Sequence, residues 1–127
     1  MSIETVRLSQ QAKDQLIKLK RRTGVQNWNV LCRWAFCVSL AEPTPVQEKV
    51  LIGEGAVEMS WKTFGGKHQE IYLALLKQRC LQEGIPVTDR DLSIQFRQHL
   101  HRGVSYLAAS DNIGNISDLL ELAGQSS

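Results

Sequence analysis

No run of apolar residues in this chain is long enough to cross a bilayer. The most apolar stretch, Val30 to Leu40, is short and interrupted by Arg33, whereas a spanning helix needs about 20 apolar residues. The start, Met1-Ser2-Ile3-Glu4-Thr5, has no apolar run behind a basic flank. A secretory signal is therefore not expected, and the chain reads as cytoplasmic, with no membrane partner. Cysteine is scarce as well: three residues, an odd number without a paired framework, which predicts reduced thiols. C-x-x-C and H-x-x-x-H spacings are both missing. Cys32 and Cys37 stand about 140° apart on a predicted helix, and His99 and His101 lie two positions apart, on nearly opposite sides of another. Neither pair can readily share an ion, so no metal and no other cofactor is expected.

Catalytic signatures are missing too. The chain has no G-x-S-x-G elbow, and nothing pairs a cysteine or serine convincingly with a histidine. Gly65-Gly66-Lys67-His68 looks like the end of a phosphate-binding loop. Trp61, however, stands where that motif requires its first glycine, and His68 replaces the required Ser or Thr. An ATP-binding loop is rejected, and no enzyme is expected. What survives is weaker: a glycine pair opening a helix, with Lys67 beside it, exposes backbone N–H groups to which a phosphate could bind. A plain loop before a helix explains the same residues.

Positive charge, by contrast, is concentrated. The 127 residues carry a net charge of +2. Residues 1–40 hold seven Lys or Arg (7, 13, 18, 20, 21, 22 and 33) against Glu4 and Asp14, a local charge of +5 that leaves −3 for the remainder. Such asymmetry speaks of partners more than of fold. A length of 127 residues and a hydrophobic fraction of 43% suit a single domain that buries roughly two-thirds of its unfolded surface.

The pattern predicts a mainly α fold: a compact helical domain with a short N-terminal extended segment and a minor β element. Val6 and Leu8 alternate with Thr5 and Arg7, as in a strand. Ser9 can cap a helix over Gln10 to Arg22 that Gly24 ends. On a helical wheel Ala12, Leu16 and Leu19 form its core stripe, while Lys13, Lys18, Lys20, Arg21 and Arg22 cover the whole polar arc. Asn27 is a natural cap for a second helix, Trp28 to Ala41, stopped by Pro43 and Pro45. That helix is apolar almost all round, which predicts burial on every side and a share in a subunit interface. Val57, Met59 and Trp61 alternate with polar residues, predicting a strand or hairpin near 57–63. A third helix is expected over Lys67 to Glu83, ended by Gly84. Thr88 and Asp91 then form a capping box for a fourth, led by Leu92, Phe96 and Leu100, which Gly103 breaks or redirects. A last short helix is expected after Ser117.

Three motifs in order carry a family resemblance. Leu19-Lys20-Arg21-Arg22-Thr23-Gly24-Val25 is followed by Asn29-Val30-Leu31-Cys32-Arg33-Trp34-Ala35-Phe36. Then come Trp61-Lys62-Thr63-Phe64-Gly65-Gly66 with Tyr72 to Arg79, and His99-Leu100-His101-Arg102-Gly103-Val104-Ser105-Tyr106-Leu107. Together they resemble the DndE family of bacterial DNA sulfur-modification proteins, over about residues 5–110, with a tail of about 111–127 outside it. The resemblance implies a small helical homotetramer in the pathway that replaces a non-bridging phosphate oxygen of DNA by sulfur. Other proteins of that system would mobilise the sulfur. This one would bind DNA, preferentially nicked duplex, through lysines lining the oligomer. Lys13, Lys18 and Lys20 are the nearest candidates, with Arg21 and Arg22 beside them.

A basic helix facing phosphates fits that implication. Two other readings stay open. A ribbon-helix-helix regulator would use Thr5-Val6-Arg7-Leu8 followed by two helices joined at a glycine turn. A purely structural subunit would use its cations for solubility alone.

Overall fold

Ser9 fixes where the helical part of the chain begins. In the computed structural model, which describes residues 5–46 and 57–109, its Oγ accepts the Ala12 N–H at 3.1 Å. Helix α1 then runs Gln10–Thr23. Gly24 closes it at φ +76°, its N–H donating to the Lys20 carbonyl at 3.0 Å, the left-handed ending that glycine favours. Ala12, Leu16 and Leu19 are buried, as the wheel requires. Helix α2 is Trp28–Ala41; Asn27 occupies the cap position but its side chain makes no capping bond.

The strand expectations hold in part. Strand β1, Thr5–Leu8, pairs antiparallel with β2, Val57–Ser60, in the register Thr5↔Ser60 to Leu8↔Val57. Trp61 does not continue the alternation. Ser60 Oγ accepts the Thr63 N–H at 3.1 Å and starts a short helix α3, Trp61–Gly65, in which Trp61 and Phe64 face the core. A single 3-10 turn, Gly66–His68, separates it from α4, Gln69–Gln82. The helix expected over Lys67 to Glu83 is therefore α4, starting two residues later, and α3 is an additional helix where the strand was expected to continue. Thr88 Oγ1 accepts the Asp91 N–H at 3.1 Å, and α5 runs Asp89–Ala109. The helix expected after Ser117 lies outside the described residues.

Gly103 breaks nothing: α5 passes straight through it. The glycine is there because α2 crosses α5 at that point. A Cβ built on Gly103 would lie 1.8 Å from the Ala35 carbonyl oxygen. Around this crossing sit Phe36, Phe64 and Phe96, with ring centroids 4.8 to 5.8 Å apart, in the edge-on and tilted arrangements that aromatic quadrupoles favour. Much of the burial assigned from sequence to a subunit partner of α2 comes instead from α5, α3 and α1. Trp28, Val30 and Trp34 remain half-buried.

The last carbonyls of α2 are satisfied by two guanidinium groups from distant helices. Arg79 donates to the Leu40 and Glu42 oxygens at 2.7 and 2.6 Å. Arg102 donates to the Ser39 and Thr44 oxygens at 2.8 and 2.7 Å. Cations at a helix C-terminus also complement its dipole. Arg102 Nε further donates to Ser39 Oγ at 2.9 Å. The Ser39 hydroxyl also shares a hydrogen bond with His99 Nδ1, 2.8 Å away.

This arrangement keeps His99 neutral. The ring is fully buried, and burial first, then the charges of Arg102 and Arg79, push its pKa down to about 4. Below the ordinary histidine pKa of about 6.5 the unfolded chain takes up a proton that the folded chain refuses. Stability should accordingly fall as the pH drops from about 6.5, by about 3 kcal/mol from this residue at pH 4. Urea-unfolding midpoints at pH 7 and pH 4 would measure the loss. His99→Gln, which keeps a hydrogen-bonding group beside Ser39, should lose less over the same interval. Equal acid losses in both proteins would refute the assignment to His99.

Candidate nucleic-acid interface

The cations of α1 divide according to what they touch. Lys18 and Arg21 are exposed, while Lys13, Lys20 and Arg22 are partly buried. Arg22 reaches across to the end of α5, where Nη1 donates to the Ala108 carbonyl at 3.3 Å. It therefore fastens two helix ends together rather than standing wholly on the polar arc. Arg7 pairs with Glu58 across the sheet at 3.1 Å. The ion pairs among the described residues are that one and Arg79–Glu83. Lys13, Lys18, Lys20 and Arg21 have no carboxylate partner among the described residues.

Arg33, counted from sequence with the basic third, has a structural task. From the second turn of α2 it donates to the carbonyls of Thr63 and Phe64 at the end of α3. Asn29 Nδ2 also donates to the Thr63 carbonyl, at 3.3 Å. These bonds hold α3 and the following 3-10 turn against the first turns of α2. Lys62, Lys67 and His68 are consequently displayed there, all exposed. The glycine pair is not an open cradle: Gly66, at φ +58°, turns its N–H back onto the Lys62 carbonyl. Lys67 is left as an exposed side chain beside a closed turn.

A charge distribution follows from these contacts. The short connection at Gly24 brings the end of α1 to the start of α2. The Asn29 and Arg33 bonds bring the Lys62–Lys67 segment to the same half of the molecule, and Arg22 brings the end of α5. Lys20, Arg21, Lys62 and Lys67 therefore gather toward one end, with Glu58 and Glu70 as the described carboxylates flanking the Lys62–Lys67 segment in the chain. At the other end, where α2 finishes, Glu42 and Glu83 act electrostatically on Arg102, and Glu83 and Asp91 on Cys80. Two cations of that end, Arg79 and Arg102, are spent on carbonyls at and just beyond the end of α2, while Arg90 stands exposed there. The molecule is polarised along its helices. Lys62 was missed from sequence because the apparent β alternation ran through Trp61 and hid the helix that carries it.

Burial pushes the Cys32 thiol up to about 12 and raises those of Cys37 and Cys80, so none is a ready thiolate. His101 accepts the Ser9 N–H at Nε2 (3.1 Å) and donates from Nδ1 to the Arg97 carbonyl (2.7 Å), so both ring nitrogens have partners. No group of three or more His, Cys, Asp or Glu residues that could hold a metal ion occurs among the described residues. No helix among them is long and apolar enough to cross a membrane.

Comparison with known proteins agrees with the motifs. No curated protein matches the sequence. The fold resembles the crystal structure of DndE from Escherichia coli B7A, a protein involved in DNA phosphorothioation modification. The two are 25% identical with a TM-score of 0.70, over 84% of this chain and 98% of that one. A double glycine-to-lysine mutant of DndE gives a TM-score of 0.65 at 24% identity, over 86% of this chain and 100% of that one, and supports the fold alone. The family model for the DNA sulphur modification protein DndE matches residues 5–115, the helical core together with the strand that opens it. On that match the chain belongs to the DndE family of DNA sulphur modification proteins.

Proposed function

We propose that this protein is a non-catalytic DNA-binding subunit of the phosphorothioation system. It grips the backbone of duplex DNA, with a preference for nicked duplex, and acts as a homo-oligomer, a tetramer, beside the proteins that mobilise sulfur. The observation that carries this reading is the polarised charge. Exposed and partly exposed lysines and an arginine collect at one end, from two segments that lie far apart in sequence. Phosphates neutralised by such side chains release counterions, which gives affinity independent of base sequence. A nick eases bending, so a surface that fits bent DNA prefers it through deformability alone. The thiols of Cys32 and Cys80, buried in the core, speak for binding rather than for carrying sulfur.

A ribbon-helix-helix regulator is disfavoured by β1. Such a ribbon needs β1 free to meet its counterpart in a second subunit, with Arg7 outward on bases. Here β1 is paired with β2, and Arg7 is held by Glu58.

Salt dependence tests the backbone-contact reading. Lys20, Arg21, Lys62 and Lys67 of one subunit contacting four phosphates should give a log–log slope of about −4 for affinity against salt, steeper if further subunits engage. Titration of labelled intact and nicked duplexes of one sequence would measure slope and preference together. A flat slope would remove the phosphate contacts from the proposal, and equal affinities would remove the preference for a nick.

A further inference from the structure

Helix α4 is apolar on both sides. Its inner side gives Leu76 and Cys80 to the core. Its outer side carries Ile71, Leu75 and Leu81, which are 56%, 40% and 68% exposed. These are three of the five large apolar side chains exposed among the described residues, the others being Ile17 on α1 and Tyr106 on α5. Exposed apolar residues scattered singly need no explanation, whereas a run of them along one helix marks an interaction surface.

The order of residues on this face specifies a partner. At about 100° per residue, Glu70 and Lys77 lie along one edge, Ile71 and Leu75 along the other, and Ala74 between them. We propose that α4 pairs antiparallel with α4 of a second copy of this chain, about a two-fold axis close to Ala74. In an antiparallel pair the same edges of the two helices meet. Glu70 of each copy then faces Lys77 of the other, and both ion pairs form at once. On the opposite edge Ile71 and Leu75 pack against the same two residues of the partner. The small Ala74 side chain at the axis permits helix approach at the short end of the usual 8–10 Å range. A parallel two-fold pair would bring opposite edges together and set Glu70 and Lys77 against the apolar Ile71 and Leu75, so the charges select the antiparallel arrangement. The face is complementary to itself, which is the requirement of a two-fold interface. The seam rests on the homo-oligomer reading above and moves the expected contact from α2 to α4.

Solution mass by light scattering separates the two ideas. The unmodified protein should run as an oligomer. Ile71→Lys with Leu75→Lys should halve its mass while leaving the helical circular dichroism unchanged, because both side chains are at the surface. Glu70→Lys and Lys77→Glu should each weaken assembly, and the double exchange should restore it. An unmodified protein that is monomeric overturns both the oligomer and the seam. An oligomer whose mass the Ile71/Leu75 variant leaves unaltered overturns the seam alone. Failure of the double exchange to restore assembly overturns the antiparallel register.

Discussion

Gly103→Ala is expected to destabilise this protein by about 3 kcal/mol or more, a large part of the 5–15 kcal/mol typical of a domain. Local propensity predicts the reverse, because alanine is favoured over glycine inside a helix by about 1 kcal/mol. The tertiary contact decides the sign. The added Cβ would lie 1.8, 2.4 and 2.9 Å from the carbonyl oxygen, carbonyl carbon and Cα of Ala35. All three are backbone atoms, so no rotamer change relieves the clash. The two helices would have to separate, which would loosen the aromatic cluster around Phe36 and Phe96. Gly24→Ala provides the comparison. Nothing lies within 4 Å of its Cβ, and its cost is the strain of the left-handed backbone, about 1–2 kcal/mol. Denaturant midpoints should therefore rank the unmodified protein above Gly24→Ala, and Gly24→Ala above Gly103→Ala. A Gly103→Ala protein as stable as the unmodified one would mean that α2 and α5 do not cross so closely.

The second large effect is on DNA. Replacing Lys20, Arg21, Lys62 and Lys67 together by glutamate should weaken duplex binding by at least about 100-fold at moderate salt, since four phosphate contacts become four repulsions. Arg22 and Arg33 are left out deliberately. The first holds the Ala108 carbonyl and the second holds α3, so replacing either would confuse loss of structure with loss of binding. Arg90→Glu is a fitting control. It reverses an exposed charge on the first turn of α5, at the acidic end, and should change affinity only slightly. Gel-shift titration of all three proteins would check this. Binding retained by the quadruple variant, or lost equally in the control, would show that the basic end is not the contact surface.

Reading the sequence alone succeeds where local signals agree. At α1 the Ser9 cap, the Gly24 ending and the Ala12-Leu16-Leu19 stripe all point to one helix, and its bounds differ from the expectation by one residue. It fails where a tertiary contact overrides a local rule. Trp61 continues a β alternation, yet Ser60 caps a helix there, because Trp61 and Phe64 both have to reach the aromatic core. Gly103 resembles a helix break when viewed along the chain and proves to be a point of close approach when viewed across it. The basic cluster was legible as composition. Its segregation from the carboxylates was not, because Glu42, Glu83 and Asp91 converge only through the packing of α2, α4 and α5. The tasks of Arg22 and Arg33 were hidden for the same reason: each donates to a carbonyl more than 30 positions away.

The bond from the Ser9 N–H to His101 spans 92 positions, and the one from Ser105 to Gln15 spans 90. Together they set an order of assembly. During synthesis α1 leaves the ribosome first, but the helix that covers its apolar stripe leaves last among the described elements. Until then Leu16 and Leu19 lack most of their cover, and β1 waits for β2. Contacts of such long range slow folding, because a large loop must close before they form. A chain halted before α5 would carry its basic helix undocked, so the charge polarity of the finished molecule exists only once synthesis has passed Ala108.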